Sequence, residues 1–148
     1  MQLSDEVTIP VSRQKVWQAL NDPEVLRQCI PGCEDITKLS DTEMEATVTV
    51  KMGPVKASFK GAVRLSDIDP PNGYRISGEG KSMMGGAAGG ADVHLIDVPE
   101  GTKLIYHVNA HVTGKIASLA QRFIEPTARQ LSAQFFETFA ELAAGEPG

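Results

Sequence analysis

Chemistry in this chain would have to come from a short list of side chains. The histidines are His94, His107 and His111 and the cysteines are Cys29 and Cys33. His107 and His111 fall on one face of a stretch that alternates like a strand, about 13 Å apart at strand rise. That is too far to share a zinc ion, and no spacing brings His94, a carboxylate or a cysteine to either of them. Cys29 and Cys33 flank Pro31-Gly32 in a CIPGC stretch, which is not a CxxC redox pair. They read as reduced thiols, at least one of them buried. No GxSxG elbow, Walker loop, HExxH helix or dinucleotide glycine pattern occurs, so the usual hydrolase and nucleotide classes fall away. Tyr74, Arg75, Glu79, Tyr106 and His107 remain as groups that could orient a ligand inside an apolar pocket. Acid–base catalysis would need two of them to converge on a substrate, and their facing is open at this stage.

The elements that must position these groups follow from periodicity. Val7 and Ile9 share a strand face that Pro10 ends. Ser12 then caps a short helix carrying Val16, Trp17 and Leu20, and Pro23 starts a second, with Val25, Leu26 and Cys29, that Pro31-Gly32 terminates. Met44, Ala46, Val48 and Val50 alternate with Glu43, Glu45, Thr47, Thr49 and Lys51. After Gly53-Pro54, Val55, Ala57, Phe59, Gly61, Val63 and Leu65 repeat the pattern in an antiparallel neighbour. Further strands are expected at 74–80, 91–98 and 102–111, giving six or seven in all. From about 115 to 143 apolar residues recur at three- and four-residue spacings, predicting one amphipathic helix roughly 40 Å long with a bend near Pro126. It is the only helix able to cover the sheet, so the class is α+β.

Two features bear on a ligand. Small residues (Ala46, Ala57, Gly61, Gly78, Ala110) on the inward strand faces either pack closely or leave space beneath the Phe-bearing helix. Residues 80–90 hold five glycines and the adjacent Met83 and Met84. They read either as a long hairpin loop with its methionines tucked onto the core, or as a flexible apolar gate suited to a lipid-like molecule.

Composition sets the outer bounds. At 148 residues and a net charge of −5 the chain is one domain, 1–148, large enough to bury about two-thirds of its unfolded surface. No apolar run approaches the roughly 20 residues of a bilayer crossing, and MQLSDEVTIP lacks the basic flank and apolar stretch of a secretory signal, so cytoplasmic residence is expected. With no clustered Lys and Arg, nucleic acid is not an expected partner.

Several stretches, taken in order, resemble the carbon monoxide dehydrogenase G-subunit (CoxG-like) family. They are Val16-Trp17-Gln18-Ala19-Leu20-Asn21-Asp22-Pro23, Cys29-Ile30-Pro31-Gly32-Cys33, Lys51-Met52-Gly53-Pro54-Val55-Lys56-Ala57, Gly101-Thr102-Lys103-Leu104-Ile105-Tyr106, Gly114-Lys115-Ile116-Ala117, Arg122-Phe123-Ile124 and Phe135-Phe136. The family sits in the superfamily that shares the helix-grip fold of birch-pollen allergen and START domains. The resemblance implies a seven-stranded antiparallel sheet around a long C-terminal helix, with two short helices after strand 1 and an apolar cavity. It also implies an accessory protein of a molybdenum-containing carbon monoxide dehydrogenase or related hydroxylase, coupling that enzyme to the membrane or the quinone pool, with no cofactor of its own beyond a bound quinone or lipid.

On this basis the cavity and gate candidates are Phe59, Gly61, Tyr74, Glu79, Met83, Met84, Gly85, Gly86, Tyr106, Phe123 and Phe135. Many relatives carry an aromatic residue and a Lys where this chain has Gly86 and Ala88. The segment Ala143-Ala144-Gly145-Glu146-Pro147-Gly148 is too short and weakly apolar to anchor the chain to a membrane, although peripheral contact is compatible. Three expectations stand side by side: a carrier of an apolar molecule, an enzyme such as a cyclase, dehydratase or hydrolase with a hydrophobic substrate, and a docking module for hydroxylase subunits.

Overall fold

The computed structural model describes residues 1–145; Glu146–Gly148, part of the tail read above as a poor anchor, lie outside the described residues. Strand β1 (Gln2–Ile9) leads to α1 (Arg13–Leu20) and α2 (Pro23–Cys29). The Ser12 side chain accepts from the Lys15 N–H and Asp22 from the Glu24 N–H, satisfying amides that a helix start leaves unpaired. A meander of β2 (Cys33–Lys38), β3 (Glu43–Met52), β4 (Val55–Asp69), β5 (Gly73–Ser82), β6 (Gly85–Val98) and β7 (Gly101–Val112) follows. The seven strands form one antiparallel sheet in the order β1-β7-β6-β5-β4-β3-β2. Strand β2 escapes a periodicity reading because CEDITK does not alternate, and a register shift lies between Cys33 and Asp35.

Two expectations are corrected. Residues 80–90 are not a loop: β5 runs to Ser82, Met83 and Met84 make the turn, and β6 starts at Gly85. The strands hold despite their glycines because Glu79 to Ser82 pair residue by residue with Ala88 to Gly85, so ladder hydrogen bonds replace the missing side-chain packing. The Ser82 hydroxyl also donates to the Gly85 carbonyl and accepts from the Met84 N–H, which pins the turn. Gly85 has φ +134°, and a Cβ there would collide with the Thr113 carbonyl.

The second correction concerns the C-terminal helix, which is two: α3 (Lys115–Leu119) and α4 (Gln121–Ala144), broken at Ala120 and not near Pro126. Ala120 is fully buried against Ile116 and the β3–β4 end of the sheet, so packing fixes the break. Pro126 lies on the exposed side of α4, in its second turn, where one lost amide is tolerated. No helix of the described residues is long and apolar enough to cross a membrane.

The core is divided. The larger cluster joins α1, α2 and the second half of α4 to the sheet, with Ile9, Val16, Leu20, Leu104 and Phe139 fully or almost fully buried. The smaller one gathers Met52, Val55, Ala57, Phe59, Ile116 and Ala120 around α3 and the start of α4. Phe123 seals that end: its ring sits over the β3–β4 turn, 2.5 Å from where a Cβ on Gly53 would be.

Candidate functional site: a hollow between sheet and helix

Between the two clusters lies a hollow of about 310 Å³. The sheet supplies Val48, Val50, Phe59, Gly61, Val63, Gly78, Ala87, Gly89, Ala110 and Val112, and α4 supplies Ile124, Thr127, Ala128 and Leu131. The small side chains decide its position. Gly61 pairs with Gly80 and then Ala87 in one row across β4, β5 and β6, and Gly78 pairs with Gly89 in the next row, so little rises from the sheet there to meet the helix. Helix α4 meets the sheet mainly at β1 and β3, to either side of these rows. At the roughly 30 Å³ that a water occupies in the liquid, the hollow has room for about ten ligand atoms.

The residues named from sequence divide among several places. Phe59, Gly61 and Glu79 border the hollow. Glu79 turns its carboxylate to the opposite face of the sheet, 3.4 Å from Arg64, so it offers the hollow backbone. Tyr74 belongs to the larger core: it packs on Trp17 with ring centroids 5.6 Å apart, and its hydroxyl donates to the Leu20 carbonyl at 2.8 Å. Burial, with the Cys29 thiol nearby, pushes that phenol well above the usual range and keeps it a neutral donor.

Tyr106 stacks on Phe136 at 3.8 Å, and Phe135 meets Phe136 edge-on at 4.8 Å, so both belong to the aromatic wall beyond the hollow. The Tyr106 phenol is also raised, by burial first and by Asp5 second. Met84 packs into the smaller core while Met83 is fully exposed. Gly85 makes the turn described above, Gly86 lies on the outer face, and Phe123 covers Gly53.

Alternation in the sequence places Ala46, Gly61, Gly78 and Ala110 on the inward face but misses the helix wall. Ile124, Thr127, Ala128 and Leu131 follow the 3-1-3 spacing that keeps them on one helix face. That signal is present in the sequence, where it cannot be told from core. Of the other polar candidates, Arg75 pairs with Asp92 at 3.1 Å, and His107 Nδ1 shares a 2.7 Å hydrogen bond with the Ser4 hydroxyl on the outer face. His94 packs edge-on to His107 with ring centroids 6.4 Å apart. Among the described residues no three His, Cys, Asp or Glu side chains gather as a metal would require.

Both thiols are free. Burial pushes Cys29 up to about 12 and raises Cys33 as well, with burial again the main cause. Because thiolate is the reactive form, iodoacetamide at pH 8 is expected to modify half-buried Cys33 at least about tenfold faster than Cys29, as read by peptide mass spectrometry. The linked stability has a definite sign. The neutral Cys29 thiol is favoured in the fold, so the unfolded chain loses this proton first. Stability should therefore fall as pH rises from about 9.

A seven-stranded antiparallel sheet wrapping a long C-terminal helix, with two short helices after strand 1, defines the helix-grip class. Consistent with this, the structure of a conserved protein from Geobacillus kaustophilus superposes with a TM-score of 0.88 at 25% identity, covering 97% of this chain and 95% of that one. Ara h 8.0201 superposes at 0.68 with 18% identity, covering 97% of each chain. Zhui aromatase/cyclase from Streptomyces sp. R1128 superposes at 0.67 with 12% identity, covering 97% and 93%. No protein of curated function matches the chain significantly. Residues 6–144 match the carbon monoxide dehydrogenase G-subunit (CoxG) family, and the chain belongs to it.

Proposed function

We propose that this protein is a non-catalytic carrier that takes the tail of a quinone or lipid into the hollow. In this role it serves a molybdenum-containing carbon monoxide dehydrogenase or related hydroxylase on the cytoplasmic side of the membrane. The observation that carries the reading is the divided core, two packed clusters with a gap lined by Val48, Val50, Ala110, Ile124, Ala128 and Leu131. Membership of the CoxG family supports the partner. The lining also favours carriage over catalysis: α4 contributes Thr127 as its polar side chain, and the two titratable residues that border the hollow from the sheet, Glu79 and His111, alternate to the outer face, whereas acid–base chemistry needs two converging titratable groups.

Tail length tests this. Each buried CH₂ contributes about 0.8 kcal/mol before ordering costs. For a benzoquinone series bearing zero to four isoprene units, calorimetric affinity is expected to rise at least about tenfold per unit up to two units, ten carbons, and then level off. Affinity independent of tail length, or no saturable binding to any member, would contradict the proposal.

A further inference from the structure

The opposite face of the same strands carries a second, polar concavity of about 820 Å³ that crosses the sheet from β2 to β7. Lys60 and Lys81 stand in it as direct cross-strand partners on β4 and β5. Like charges opposite one another weaken a sheet; on this face several other cations are matched, while Lys51 and Lys56 form a second pair that is unmatched among the described residues. Arg64 pairs with Glu43 at 3.7 Å and Glu79 at 3.4 Å, Arg75 with Asp92 at 3.1 Å, and Lys103 with Glu6 at 3.3 Å. Among the described residues neither Lys60 nor Lys81 has a carboxylate within 4.0 Å. In a chain of net charge −5, what sets Lys60 and Lys81 apart from Lys51 and Lys56 is their place in a concavity.

Their surroundings leave room for that counterion. The floor beside the pair is Gly61 and Gly80, with Gly86 next to Lys81 on β6; the hydroxyls of Thr47 and Thr113 border the row, and Asp35 stands beyond Thr47 at its β2 end. Two residues further along the strands, roughly 7 Å away, Glu45 and Glu79 flank the lysines. The positive strip is therefore one pair wide with acid beside it, which suits a compact anion and repels an extended polyanion.

We propose that Lys60 and Lys81 bind a phosphate monoester in this outer groove, at a site separate from the hollow. Two ammonium groups meet the two charges of the ester, and the neighbouring hydroxyls complete its hydrogen bonds. The ester is either a free metabolite or a lipid headgroup, and these sources are separable by experiment.

Titration calorimetry with glycerol 3-phosphate at constant ionic strength tests the free form, and flotation with phosphatidylcholine vesicles with or without phosphatidic acid tests the headgroup. Lys51 and Lys56, also cross-strand partners but outside the groove, supply the control. Saturable binding of either probe that weakens at least about tenfold in K60Q and in K81Q but persists in K51Q/K56Q supports the site, and the responding probe identifies the source. Melting curves of the variants should match or exceed that of the parent, since a like-charge contact is removed. Binding of neither probe, or equal loss in K51Q/K56Q, would overturn the proposal.

Discussion

Ala128→Trp is expected to weaken binding of a two-isoprene benzoquinone by about a hundredfold or more while leaving the fold in place. Ala128 lies on α4 and borders the hollow with Gly61, Gly78 and Gly89 of the sheet. An indole from that position occupies much of a space that holds only about ten ligand atoms. Displacing even four CH₂ groups removes about 3 kcal/mol of apolar burial, more than a factor of one hundred. The new ring enters a gap, so the change in unfolding free energy should stay within about 1.5 kcal/mol. Calorimetry and urea unfolding on the same preparation separate the two effects. Unchanged affinity in a folded variant would mean that the tail binds elsewhere.

Phe139→Ala makes the reverse test. Phe139 is fully buried where α4 meets the larger cluster, stacked on Phe135 with centroids 6.5 Å apart. Truncation should cost about 3–5 kcal/mol, the range for large-to-small changes at packed aromatic positions. Urea unfolding should show that loss with an unchanged slope. A cost below about 1 kcal/mol would mean that α4 is not held at this end. The two variants together separate the part of α4 that grips from the part that roofs an opening, about three helical turns away.

Much of this arrangement is legible in residue order. The alternation through Met44–Val50 and Val55–Leu65, the cap at Ser12 and the proline at 23 determine strands and helices through local sterics and hydrogen bonding, which a sequence displays directly, whereas Asp22, read from the sequence as the end of the first helix, turns out to cap the second. The hollow is half legible. Gly61, Gly78 and Ala110 announce thin places in the sheet, yet volume depends on what stands opposite, and the helix register that brings Ala128 and Leu131 over them is a tertiary property.

The Gly80–Gly90 segment shows the limit most clearly. Glycine lowers intrinsic strand preference, and the run reads as a loop until its neighbours are known. With β4 on one side and β7 on the other, the ladder overrides that preference. Tyr74 and Tyr106 face inward as alternation requires, but inward includes both packed core and open hollow, and nothing in the pattern distinguishes them. The Lys60–Lys81 pair is invisible in the sequence for a simpler reason: the two residues are far apart along the chain and meet only through the β4–β5 register.

The most direct measurement is a filtered NOE experiment on the isotope-labelled protein with an unlabelled two-isoprene benzoquinone bound. Contacts from the isoprenoid protons to the methyl groups of Val48, Ala110, Ile124, Ala128 and Leu131, with none to Trp17 or Tyr74, are expected. Contacts confined to the outer sheet face, or a bound tail that touches none of those methyls, would contradict the claim that this hollow is where the apolar molecule rides.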